Sequence, residues 1–104
     1  MKIVGITACI AGIAHTYMAA ANLKKFAKKE NCEIKIETQG AMGIENELTQ
    51  AEIDEADVVI FAVDTTVQNE DRFNEKKILE VGTSKVVKDG KATIQDAIKL
   101  AKGE

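Results

Sequence analysis

MKIVGITACIAGIAHTYMAAANLKKFAKKENCEIKIET, residues 1–38, changes its hydrophobic period twice. Met1 to Ala8 is a short apolar, β-branched run, the pattern of a strand covered on both sides. It runs into the small, loop-like Cys9-Ile10-Ala11-Gly12. From about Ile13 to Glu30 the apolar positions Ala19, Ala20, Leu23, Phe26 and Ala27 recur at spacings of three and four, with no glycine or proline among them, which predicts a long amphipathic helix. Cys32 to Thr38 then alternates as C-E-I-K-I-E-T, a strand with one apolar face. Strand, helix and strand within 38 residues make a βαβ unit, whose two strands lie parallel across a right-handed crossover.

The rest of the chain extends that unit. Q-G-A-M-G, around Gly40 and Gly43, reads as a loop. Thr49-Gln50-Ala51-Glu52 has capping-box spacing and opens a short helix ending near Ala56. Asp57 to Val63 is continuous apolar sequence behind an aspartate, as in a central parallel strand, and Asp64 closes it. Residues 65–77 are polar and irregular, Ile78 to Val81 is a brief strand, and Ala92 to Lys102 is a helix stopped by Gly103. The predicted class is α/β: a small doubly wound, Rossmann-like domain with a four-stranded, mostly parallel sheet and helices on both faces, residues 1–104 forming one domain.

Composition agrees and removes several function classes. With 104 residues, 45% hydrophobic and 30% charged, the chain is in the globular range, and its two cysteines are not needed as staples. Seventeen carboxylates against fourteen bases, of which Arg72 is the one arginine, leave a formal charge of −3. The lysines are scattered apart from Lys24, Lys25, Lys28 and Lys29, which fall in a helix's last turns where cations favour the dipole. Nucleic acid is therefore not an expected partner. No apolar run reaches the roughly 20 residues of a membrane span, and no signal-peptide pattern opens the chain, so a cytoplasmic protein without direct membrane insertion and with reduced thiols is expected. No cofactor is implied, and Cys9, Cys32 and His15 lack the ligand-pair spacing of a metal site.

In doubly wound folds ligands sit beyond the carboxyl ends of the strands, near the point where strand order reverses. Cys9 stands at such a strand end, and Gly12 to Thr16 leads into the long helix. Amides in a helix's first turn lack intrahelical partners and share about half a positive charge, which makes an anion cradle and a thiolate activator. Lowering a thiol pKa from about 8.5 to 7 takes about 2 kcal/mol and ionises about half of it at neutral pH. The bland alternative is a small buried residue ending a strand. Its neighbours favour chemistry: Gly12 permits close backbone approach, and His15 and Thr16 add donors. The sixth residue after Cys9 is His15, where a low-molecular-weight tyrosine phosphatase loop has arginine. Without that guanidinium fork hydrolysis is disfavoured, and a loop that forms a thiophosphate but passes it poorly to water suits a phosphoryl carrier.

Five blocks carry a resemblance: G-I-A-H-T-Y-M-A-A (Gly12 to Ala20), T-Q-G (Thr38 to Gly40), G-I-E-N-E-L-T (Gly43 to Thr49), A-D-V-V-I-F-A-V-D (Ala56 to Asp64) and R-F (Arg72, Phe73). Together they resemble the enzyme IIB domains of the fructose family of the bacterial phosphoenolpyruvate-dependent sugar phosphotransferase system. The resemblance implies that Cys9 is a phosphocysteine, loaded from a phosphohistidine of enzyme IIA and discharged to a fructose-like sugar as the membrane domain, enzyme IIC, transports it. It implies a phosphate loop of Ile10, Ala11, Gly12, Ile13, Ala14, His15 and Thr16, and work at the inner face of the plasma membrane through enzyme IIC. The family's usual Cys-Pro-Thr-Gly is Cys9-Ile10-Ala11-Gly12 here, which leaves the holding of phosphate to backbone amides.

Gln39, Gly40 and Asp64 fall at the same predicted sheet edge and are candidates for partner or sugar contact, with turn capping the ordinary alternative for Asp64. Cys32 starts the second strand, at the opposite edge, too far for a disulfide to Cys9, and reads as structural. The competing functions are a flavodoxin-like module binding a cofactor phosphate and a small cysteine phosphatase.

Overall fold

The computed structural model of the chain describes residues 1–9, 14–40 and 43–103. Among them a five-stranded sheet is built from β1 (Lys2–Ala8), β2 (Glu33–Gly40), β3 (Gly43–Glu45), β4 (Val58–Val63) and β5 (Ile78–Val81), in the order β3-β2-β1-β4-β5. β1, β2, β4 and β5 are parallel, and β3 turns back antiparallel on β2 through Thr38↔Glu45, Gln39↔Ile44 and Gly40↔Gly43. The helices are α1 (Ala14–Lys29), α2 (Gln50–Glu55), α3 (Thr83–Lys88) and α4 (Gly90–Ala101), and a 3-10 turn spans Glu70–Phe73.

The α/β class, the parallel core and four of the strands are as the sequence predicts. Two elements go beyond it. β3 adds a fifth strand where Gly40 and Gly43 read as loop; Gly43 has φ +90°, a conformation that glycine adopts freely and that lets the chain reverse into a three-residue edge. α3 lies between the predicted strand Ile78 to Val81 and the predicted helix Ala92 to Lys102, where no element is predicted; its first amide is satisfied from distant sequence, by Asp64.

Alternation along the strands sorts the core into two layers. Ile3, Ile36, Val58, Ile60 and Ala62 face α1, α3 and α4, meeting Ala19, Leu23, Ala27, Val86, Ile94 and Ala97. Val4, Ile6, Val59 and Phe61 face the other way onto Leu48, Ile53, Val67 and Phe73, with Phe61 and Phe73 edge-to-face at 5.1 Å. Because β1 and β4 are neighbours while β2 and β5 extend in opposite directions, strand order reverses at β1, and the crevice of such a fold opens at its carboxyl end.

Candidate active site

Cys9 follows β1 directly and is half-buried. Ala8 pairs with Gln39 on β2 and with Val63 on β4, so Cys9, Gly40 and Asp64 are the next residues out at one sheet edge. The Asp64 N–H donates to the Ala8 carbonyl at 2.9 Å, which continues the β1–β4 ladder past its last pair. α1 starts at Ala14, so its free amide end belongs to this edge. Ile10, Ala11, Gly12 and Ile13, the rest of the expected phosphate loop, lie outside the described residues.

Three of the expected loop residues are described. Ala14 and His15 are exposed, whereas Thr16, in the first turn of α1, is buried. Thr7 and Thr38, cross-strand neighbours on the sheet face that α1 covers, are buried too. Among the described residues the hydroxyls of Thr7, Thr16 and Thr38 are buried without a side-chain hydrogen-bond partner. Beside them Tyr17 donates its hydroxyl to Glu45, which latches the first turn of α1 to β3 and raises the tyrosine's pKa.

Asp64 is held from α3. Thr83 gives its N–H to Oδ1 at 3.1 Å and its hydroxyl to Oδ2. These bonds, Thr83's hydroxyl foremost, together with the nearby Cys9 thiol and His15, hold the carboxyl below the usual aspartate range. The sequence gives no local sign of Thr83's part.

Gln39 sits on the opposite sheet face, buried, with its amide fully engaged. It donates to Glu37 Oε2 at 2.6 Å and to the Gln68 carbonyl at 3.2 Å, and accepts from the Gln68 N–H at 2.8 Å. Glu37 is fully buried, and Arg72 clamps both its oxygens, Nη1 to Oε1 at 2.9 Å and Nη2 to Oε2 at 3.0 Å. Burial pushes this carboxyl up, but Arg72, Gln39 and the Leu48 N–H together hold it below the ordinary glutamate value. Arg72 also donates to the carbonyls of Asn69, Leu48 and Gln68, so all five of its N–H donors are used. The clamp ties the segments after β2 and β4 together. A guanidinium engaged in this way on the far face of the sheet is not free to grip a phosphoryl group at Cys9. Nothing local in the sequence marks Glu37 as buried, since it falls on what reads as the polar face of an alternating strand.

Cys32 is at the opposite edge, just before the Lys2↔Glu33 pair, about 20 Å from Cys9 along a seven-residue strand. Its thiol donates to the Glu30 carbonyl at 3.6 Å, and both cysteines are free. Among the described residues no cluster of histidine, cysteine and carboxylate side chains is arranged to hold a metal, and no helix is long and apolar enough to cross a membrane.

The sequence model of the family described as "PTS system, Lactose/Cellobiose specific IIB subunit" matches residues 4–96. The PTS system fructose-like EIIB component 2 of Escherichia coli K12 is 48% identical over 87 residues, 84% of this chain and 82% of its own length. The fructose-specific EIIB'BC component of Xanthomonas campestris pv. campestris is 46% identical over 97 residues, 93% of this chain but 17% of that longer protein. In three dimensions, a domain of the fructose-specific IIABC component of the PTS system from Borrelia burgdorferi superposes with a TM-score of 0.90 at 45% identity, covering 94% of this chain and 93% of that one.

Proposed function

This chain belongs to the IIB family of the sugar phosphotransferase system, on its fructose-type side, and from that premise we propose that it is a phosphoryl carrier whose covalent site is Cys9. The observation that carries the reading is the position of that thiol: half-buried, at the carboxyl end of β1 where strand order reverses, on the connection that leads into α1 at Ala14. Loading is from a phosphohistidine of enzyme IIA. The thiol sulfur attacks phosphorus, the N–P bond breaks as the S–P bond forms, and the thiol proton ends on the imidazole nitrogen. A hydroxyl of a fructose-like sugar then attacks phosphorus, the S–P bond breaks, and the sulfur takes up the proton that the hydroxyl gives up. Backbone amides of residues 10–16 hold the phosphoryl group in this reading, since Ile10 and Ala11 bring no side-chain donor.

Residues 1–104 act as one phosphoryl-transfer unit at the cytoplasmic face of the membrane, with enzyme IIC as the transporting partner. Relatives whose names join B and C components support that pairing. The engaged state of Arg72 favours carriage over hydrolysis. Intact-protein mass spectrometry after incubation with phosphoenolpyruvate, the upstream phosphocarriers and a cognate enzyme IIA tests the mechanism. One added phosphoryl group is expected, absent in Cys9→Ser and retained in Cys32→Ser. A Cys9→Ser protein that accepts phosphate as well as the parent overturns the assignment.

A further inference from the structure

Lysines that are spread along the sequence gather on one side of the sheet. α1 carries four lysines and no carboxylate, α3 two lysines, and α4 two lysines with Asp96 as its one acid. All eight lysines are exposed, and among the described residues none of them is in an ion pair. The other side is acidic: α2 and the 3-10 turn hold five carboxylates and one base, Arg72, which is engaged by Glu37. Packing draws the lysines to one junction. The start of α4 presses on Phe26, where a Cβ on Gly90 would stand 2.8 Å from the ring, and Asn22 of α1 donates to the α3 carbonyls of Val86 and Val87 at 3.1 and 3.0 Å. Lys25 and Lys29 lie over the same ring at 5.3 and 5.1 Å, and Lys88 and Lys91 flank Gly90. Glu30 and Asp89 border the junction, and Asp89 is occupied in capping α4 through the Ala92 N–H at 3.1 Å. The helix dipole accounts for Lys28, Lys29 and Lys88, which stand in last turns, but not for Lys24 or Lys25. It opposes Lys91, in the first turn of α4.

We propose that this face of α1, α3 and α4 docks on an anionic phospholipid surface, holding the molecule flat against the leaflet by charge, without insertion. Each lysine beside such a surface strengthens binding about fivefold. The net charge of −3 does not prevent this. At about 0.1 M salt the screening length is about 10 Å, shorter than the molecule's least extent of 18 Å, so the leaflet senses the near face and not the acidic one behind it. The chemistry of the face fits lipid better than protein or nucleic acid. Lysine is depleted at the core of protein interfaces, where aromatic, methionine and arginine anchors dominate. Among the described residues none of those anchors is exposed at the junction, since Tyr17 and Met18 lie two turns of α1 nearer the Cys9 edge. Nucleic-acid faces add arginine forks or stacking rings, and the one arginine here is across the sheet. With the lysines on the leaflet, the Cys9 edge, at the strand ends, looks along the membrane and stays open to protein partners. The proposal does not depend on the reading of Cys9.

Flotation with lipid vesicles tests it, comparing phosphatidylcholine alone with phosphatidylcholine mixed with phosphatidylglycerol. At about 0.1 M salt binding is expected to the mixed vesicles only, and it should be lost at about 1 M, where screening shortens to about 3 Å. Lys25→Gln combined with Lys88→Gln, both on exposed positions, should weaken binding about 25-fold. Lys2→Gln, whose parent side chain pairs with Glu55 on the acidic side, should leave binding unchanged. So should Cys9→Ser, which separates this surface from the chemistry of the thiol. Lysine acetylation read by mass spectrometry reports the orientation: mixed vesicles should protect Lys25, Lys88 and Lys91 and leave Lys2 and Lys35 reactive. No binding to the mixed vesicles, equal binding to phosphatidylcholine alone, or protection of Lys2 and Lys35 instead overturns the proposal. A folded double variant that binds vesicles as the parent does also overturns it, and slower loading of that variant from enzyme IIA would then assign the face to an acidic protein.

Discussion

Glu37 is a carboxylate with no exposure to water, and Arg72 is its counter-ion. Such a pair adds little over well-packed apolar residues, but removing one partner strands the other's charge in the core, at about 3–5 kcal/mol. Arg72→Met should therefore lose about that much in urea denaturation, a large share of the roughly 5–15 kcal/mol of a typical domain. The pH dependence follows from the lowered Glu37 pKa. As pH falls, the unfolded chain's glutamate takes up its proton first, so stabilisation by the pair is fully present above the ordinary value of 4.5 and is lost through the depressed native value. The stability gap between the parent and Arg72→Met should be widest near neutral pH and close below about pH 4; a gap constant across that range contradicts the pair's contribution.

The short helix α2 depends on its ends, since Ile53 is its one buried residue. Thr49 Oγ1 accepts from the Glu52 N–H at 3.1 Å, and Glu52 Oε1 accepts from the Thr49 N–H at 2.8 Å; that carboxyl, also paired with Lys35 at 2.8 Å, is pulled down to about 2. Thr49→Ala should cost about 1 kcal/mol and loosen hydrogen exchange in Gln50–Glu55 before any strand. This cap was legible in the sequence because both partners lie within one turn. The cap of α3 was not, because its acceptor, Asp64, is 19 residues away and is brought there only by the β4–β5 pairing. The same distinction divides the site. Cys9 and Asp64 could be placed at one edge from where apolar runs stop, since parallel strands end together. The burial of Gln39 and the engagement of Arg72 depend on what packs against the other face of β2, which alternation alone does not reveal.

At the scale of the whole molecule, the parallel sheet is assembled from strands far apart in sequence: β1 must wait for residues 33–40 and 58–63 before its ladders close. With no proline in the chain, that search has no prolyl isomerisation to wait for. Refolding from urea, followed by stopped-flow, should lack a phase of tens of seconds and be indifferent to added prolyl isomerase; an isomerase-accelerated phase contradicts this. The sheet order has one more consequence. The outermost strands, β3 and β5, are three and four residues long, and the second is preceded by Lys76 and Lys77. Free backbone groups along an outer strand are a template on which foreign chains can add and fibrils can begin. Edges this short, one led in by a pair of positive charges, offer an intruding strand few rungs to climb.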